Sequence, residues 1–152
     1  MLRPAIRIAA AACLAVLFSI QVLADTTPED AADYRQSIMT AMRGHVGAIS
    51  MIARGLVENH GQLVNHAKAL DATAKELSDI FPEGSNVGDS EALPLIWEDP
   101  EGFEAAVAKL QNATSAFVAA AEEGDQAAIG TAFRNVGMSC RGCHDRYRAD
   151  ED

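Results

Sequence analysis

Apolar residues recur at alternating steps of three and four in four separate windows of this chain, and no window alternates with a period of two. That pattern commits the chain to amphipathic helices, each with one apolar stripe that must be covered by another helix. Four such stripes with short first and third connections predict an all-α fold, an antiparallel up-down-up-down four-helix bundle.

The first helix opens with Thr27, Pro28 and Asp30, an N-cap, a first-turn proline and an early acid. Its expected stripe is Ala31, Tyr34, Ile38, Ala41, His45, Ala48 and Ile52, and Gly55 is placed to end it. The second starts near Asn59, although Gly61 leaves that boundary the least defined. It carries Leu63, Ala67, Leu70, Ala74, Leu77 and Phe81 before Pro82 stops it. Asp99 and Pro100 open the third helix, with Phe103, Val107, Leu110, Thr114, Phe117 and Ala121 on one face and Gly124 at its end. Asp125 caps the fourth, whose stripe is Ile129, Phe133, Val136, Cys140, Cys143 and Tyr147. Residues 82–100 hold three of the five prolines plus Gly84 and Gly88, which predicts a long loop running the length of the bundle, with Trp97 as an apolar plug.

Residues 1–24 are expected to be a leader rather than part of the fold. Basic Arg3 and Arg7 precede an apolar run, and Val22, Leu23 and Ala24 place small residues at the positions a signal peptidase reads. The run is short for a bilayer span and Gln21 interrupts it, so no membrane anchor is expected after cleavage. Cys13 leaves with the leader. The expected mature domain, residues 25–152, holds 10 Lys+Arg against 22 Asp+Glu, a net charge of −12. With no basic cluster to neutralise a phosphate backbone, nucleic-acid binding has no footing.

The chemistry is concentrated near the C-terminus. Cys140-Arg141-Gly142-Cys143-His144 has the spacing of a c-type haem attachment segment. On a helix, positions i, i+3 and i+4 share one face, so two thiols can reach the two vinyl groups of one porphyrin while the next imidazole reaches its iron. A thioredoxin-type dithiol would need alternating strands and helices, which are missing. A structural zinc site would need a fourth ligand, and the mature chain has no second cysteine pair. The expected cofactor is therefore one haem c, covalent through Cys140 and Cys143. No constellation of nucleophile and general base stands out, so an enzyme is not expected.

With these residues in place, the chain resembles the class II c-type cytochromes, the cytochrome c prime family. The resemblance rests on Pro28-Glu29-Asp30, Tyr34-Arg35-Gln36, Ile96-Trp97 and Cys140 to His144 followed by Asp145, Arg146 and Tyr147, and it spans nearly all of residues 25–152. It implies a four-helix bundle exported to the bacterial periplasm, with His144 as proximal iron ligand and Arg35 and Gln36 beside the haem. It also implies that the first helix faces the other side of the iron. Met39, one turn after Arg35, is the expected distal ligand, and Met42 is the fallback; the open alternative is an unbound Met39 packed over the iron. Met51 is also on the first helix, while Met138 shares a helix with His144 and cannot readily reach the opposite face. His45 is expected as a hydrogen-bonded core residue, and His60 and His66 as surface groups.

Two functions follow from the two states of Met39. A ligated iron predicts a periplasmic single-electron carrier, whose net charge of −12 suits a redox partner with a basic docking patch. An open sixth position predicts a five-coordinate haem that takes up nitric oxide or carbon monoxide. A subunit or docking module with a structural haem is a third possibility. The family also forms homodimers through its first two helices, for which Met51, Val57 and Val64 are the candidate contacts.

Overall fold

The computed structural model describes residues 26–149 and consists of four long helices and one short one: α1 (Pro28–Ala53), α2 (Gln62–Lys75), α3 (Leu95–Glu98), α4 (Pro100–Glu123) and α5 (Gln126–Tyr147). The expected leader, residues 1–24, lies outside the described residues. Among the described residues there is no strand, only an isolated bridge between Ala92 and Arg148.

The helix ends follow local chemistry. Thr27 accepts from the Asp30 amide at 3.1 Å, Asp99 from Gly102 at 3.2 Å and Asp125 from Ala127 at 3.0 Å, which satisfies amides with no partner inside α1, α4 and α5. α1 ends in a Schellman arrangement: Gly55, at φ 69°, donates to Ile52 and Leu56 donates to Met51. α2 starts later than expected, at Gln62, because Gly61 takes a left-handed conformation before it. Asn59 still acts as a cap in effect, accepting from the amides of Gly61 and Leu63.

The stripes of α2, α4 and α5 lie close to expectation, but α1 is rotated. Its buried line is Ala31, Arg35, Met42 and Ile49, while Tyr34 is 51% exposed and Ala41 is exposed. A pattern of apolar letters passes over Arg35, which is 4% exposed, and promotes Tyr34 in its place. The Tyr34 hydroxyl instead reaches across to Glu76 at 2.6 Å. At about 100° per residue, the row of Ile38, His45 and Ile52 then faces α2, and the row of Ala32, Met39 and Val46 occupies the opposite flank.

α1 packs on α2, α2 on α4 and α4 on α5, whereas no comparable contact joins α1 to α5. The bundle is thus closed on three of its four sides. The long loop does not run along the bundle. It stays at the end where α2 finishes and α4 begins, because an up-down-up-down order returns the chain to that same end. There Phe81 meets Phe103 at 4.8 Å, Phe103 meets Tyr147 at 5.3 Å, and the Trp97 indole donates to the Phe81 carbonyl at 3.1 Å. Trp97 is half-buried and plugs this end, with Ile96 fully buried beneath it.

One buried polar knot fastens α2 to α4. Asp71, 8% exposed, accepts from Thr114 at 2.9 Å, Ser115 at 2.8 Å and Lys75 at 2.6 Å. Burial pushes its carboxyl upward, but the hydrogen bonds from Lys75, Ser115 and Thr114 prevail and hold it below the usual carboxylate range. The stability this supplies is fully present above the ordinary carboxylate pKa and is lost as pH falls through the lowered folded value. Asp71→Ala should cost about 2–3 kcal/mol at neutral pH. Its stability deficit relative to the unchanged chain should shrink on acidification, as read by thermal unfolding between neutral pH and the lower carboxylate range.

Candidate haem site

α5 ends with the residues that carry the chemistry. Cys140 and Cys143 are free thiols, half-buried and packed against the core, with His144 exposed beside them. Burial raises both thiols, Cys143 to about 11, so neither is ionised at neutral pH. Burial, reinforced by the Arg148 charge, lowers His144, which keeps the imidazole neutral and able to offer a lone pair to a metal. Around Cys143, α4 presents Gly102, Ala105 and Ala106, small residues that leave the thiol reachable from the groove between α4 and α5.

The donor set fits a haem. It offers two unpaired thiols half-sunk against apolar surface and one exposed imidazole on the same helical face, beside the one side of the bundle that α1 and α5 leave unclosed. Facing that side from α1 is the row of Ala32, Met39 and Val46, with Met39 and Val46 half-buried. Met42 lies one row inward, 6% exposed and inside the core cluster, a worse position than Met39 for reaching a group held on α5.

Arg35 occupies a place that sequence reasoning did not anticipate. It donates from Nη1 to the Ile80 carbonyl at 3.3 Å and the Ser85 hydroxyl at 2.9 Å, and from Nη2 to the Ser85 carbonyl at 2.8 Å and the Ser90 hydroxyl at 2.7 Å. Its guanidinium also lies 4.8 Å from the centre of the Phe81 ring. All these partners are neutral, so the charge itself meets no carboxylate among the described contacts. Gln36 is exposed.

The C-terminal end of α5 is clasped by the same loop. Leu93 donates to the Tyr147 carbonyl at 2.9 Å, Ala149 to Glu91 at 2.8 Å, and Arg148 pairs with Glu91 at 2.5 Å. Asp99, besides capping α4, accepts from Arg146 at 2.7 Å and Tyr147 at 3.1 Å. An added Cβ at Gly102 would stand 2.1 Å from that carboxylate and 2.7 Å from the Tyr147 hydroxyl, so any larger residue there must push the Asp99 cap aside. Neither Ser85 nor Ser90 gave any signal in the sequence, since their partner lies 50 and 55 residues away.

Of the other histidines, His45 is hydrogen-bonded as expected, and its partner is His66, with the two Nδ1 atoms 3.0 Å apart. His66 is therefore part of the α1–α2 contact rather than a free surface group. His60 is exposed, 3.3 Å from Glu58.

Fold and site together define a class: an all-helical bundle that holds one c-type haem by a thiol pair on its last helix. The family model described as cytochrome C' matches residues 30–148, and the chain belongs to the cytochrome c prime family. The cytochrome c' of Rhodospirillum rubrum is 34% identical over 140 residues, covering 91% of this chain and 95% of that one. A cytochrome c-554 of Cereibacter sphaeroides is 36% identical over 119 residues, covering 75% and 89%. Among solved structures, a nitric oxide complex of a cytochrome c prime variant from Alcaligenes xylosoxidans is similar with a TM-score of 0.78 at 32% identity, covering 84% of this chain and 99% of that one. Members of the family carry one covalently attached c-type haem. None of the described helices is long and apolar enough to cross a membrane.

Proposed function

We propose that this is an exported, periplasmic haem protein with a five-coordinate iron that takes up nitric oxide or carbon monoxide. Cys140 and Cys143 are the attachment thiols and His144 the proximal ligand. The observation that carries the gas-binding reading is the likeness, over 84% of the chain, to a cytochrome c prime in complex with nitric oxide. When bound, the haem would supply an iron able to take up a small diatomic ligand. The chain supplies the neutral His144 on one side and, on the other, the apolar row of Ala32, Met39 and Val46, which excludes water and offers a small uncharged ligand a dry pocket. In this reading Met39 packs over the open position without ligating. Arg35 and Gln36 stand at the haem edge, and Arg35 contributes a buried positive charge toward a propionate.

The second reading is the electron carrier, favoured by the one residue that could close the sixth position. Met39 offers a thioether on the flank of α1 that faces away from α2. The substitution Met39→Ala separates the two. For a five-coordinate iron the ferric spectrum keeps its spin state, and carbon monoxide uptake speeds up by roughly tenfold for each 1.4 kcal/mol that the thioether's bulk adds to the barrier. For a ligated iron the unchanged protein shows low-spin bands and a methionine-to-iron band in the near infrared, and both vanish in the variant.

A homodimer through α1 and α2 is part of the proposal. Met51, Leu56 and Val57 are exposed at the end of α1 and in the turn that follows, whereas Val64 is half-buried and contributes less than expected. Sedimentation analysis of the haem-loaded protein tests this.

A further inference from the structure

The net charge of the chain is not spread evenly. Residues 126–149 hold four arginines and a single carboxylate, Asp145, while the rest of the described chain, residues 26–125, holds six basic residues against 17 acidic ones. α5 is thus a cationic strip on an acidic protein, and it is also the helix that carries Cys140, Cys143 and His144. Arg134 and Arg141 lie seven residues apart, so they stand about 10 Å apart along nearly one line of the helix, and Arg148 follows just past its last turn. That line runs beside the row of Phe133, Gly137, Cys140 and His144.

These charges are unequally engaged. Arg148 is held by Glu91, and Arg146, off the line, by Asp99. Arg141 is 83% exposed and only touches Asp145, itself 63% exposed, at 3.3 Å, an arrangement that water screens strongly. Arg134 is exposed and donates to a neutral group, Thr131, at 3.1 Å. Between these two arginines lies Met138, 60% exposed, with glycine at 137 and 142 leaving the surface low. An apolar centre flanked by two exposed cations, one without a carboxylate partner among the described residues and one in a water-screened pair, next to the haem-bearing residues, has the anatomy of a small docking patch.

We infer that the outer face of α5 around Arg134, Met138 and Arg141 is the surface on which a redox protein presenting carboxylates docks to exchange electrons with the haem. This rests on the haem reading above, and it reverses the sign of partner that the whole-chain charge suggests. The overall charge of −12 acts at long range and favours basic partners over most of the surface. Within a Debye length of α5 the local cations decide, and they favour carboxylates.

Anionic ferricyanide and a cationic oxidant, tris(phenanthroline)cobalt(III), test the sign of that local field. Each takes one electron from the ferrous iron, leaving ferric haem and the reduced complex. Salt is raised from about 0.15 M, where the net charge is already screened beyond about 8 Å, to about 1 M, where the Debye length falls to about 3 Å and the local field is screened too. The expected result is a ferricyanide rate that falls by roughly threefold to tenfold as salt rises, and a cobalt rate that climbs. In the double variant Arg134→Glu, Arg141→Glu both trends reverse. Poly-L-glutamate should bind the unchanged protein and not the variant, by calorimetry, and should slow its oxidation by ferricyanide. A ferricyanide rate that rises with salt in the unchanged protein, or a variant that keeps its salt dependence, overturns the proposal. So does binding to phosphatidylserine vesicles that requires both arginines while polyglutamate does not bind, since the patch would then serve a membrane. The calorimetric arm needs no haem, so failure of the docking surface and failure of the haem reading are distinguishable.

Discussion

Protein carrying Cys140→Ala and Cys143→Ala, produced in a host with cytochrome maturation machinery, should come out colourless, at the mass of the bare mature polypeptide. The unchanged chain from the same host should be coloured and heavier by one haem. The reasoning is local: thioether links need a sulfur at each position, and the described chain has no other cysteine to substitute. The bundle itself should survive. Its three closed sides, α1 on α2, α2 on α4 and α4 on α5, use Leu70, Val107, Phe117 and Val136, none of which depends on the cofactor. The fourth side, between α1 and α5, would lose its cover. A macrocycle buries at least the apolar surface of one large aromatic side chain, roughly 150–250 Å², so at about 25 cal/mol per Å² the loss is about 4–6 kcal/mol. Circular dichroism should therefore show helices retained and a midpoint lowered by many degrees. A variant that stays coloured, at the haem-bearing mass, would remove the two thiols from the site.

This split between a self-sufficient bundle and a dependent fourth side also explains what the sequence made legible. α4 was readable almost residue by residue: Asp99 as cap, Phe103, Val107, Leu110, Thr114 and Phe117 inside, Gly124 as stop, because cap chemistry, helical period and glycine's left-handed freedom all act within a few residues of one another. The shared helical face of the cysteine pair and His144 was readable for the same reason. What escaped were features whose cause lies far along the chain. α1 was read one position out because its central buried residue is an arginine, and a guanidinium is buried only where a distant loop supplies acceptors. The path of residues 82–100 was misread because prolines and glycines mark a loop without saying where it lies. Arg35, Phe81, Tyr147 and Trp97 decide that together, and they come from four separate parts of the chain.

Arg35→Ala should be among the most destabilising single changes in the described chain. The side chain is 4% exposed, and its four donated hydrogen bonds are what hold residues 80–90 to α1. Deleting it strands the Ile80 and Ser85 carbonyls, leaves the Ser85 and Ser90 hydroxyls with only the Pro82 carbonyl and the Ala92 amide, and removes the cation from the Phe81 ring. Hydrogen bonds to a charged donor contribute about 1.5–3 kcal/mol each, but the four act as one unit and burial already taxes the guanidinium, pulling it below its ordinary range. A net loss of about 3–5 kcal/mol is the expected outcome. Arg35→Lys should recover less than half of it, since an ammonium at the end of a flexible stem cannot span acceptors on three residues as a planar fork does. Thermal unfolding of the three proteins measures the ranking, and Lys equal to Arg would show that charge alone, without the fork, holds the loop. The consequence reaches the haem. The loop tied to α1 at Ser85 and Ser90 is the same one that clasps α5 at Tyr147 and Ala149, so α1 and α5, which share no extensive contact, are spaced by it. Loosening the Arg35 end should therefore alter the ferric spectrum and speed carbon monoxide uptake, whereas the Asp71 variant, equally buried but fastening α2 to α4, should lose stability with the haem spectrum unchanged.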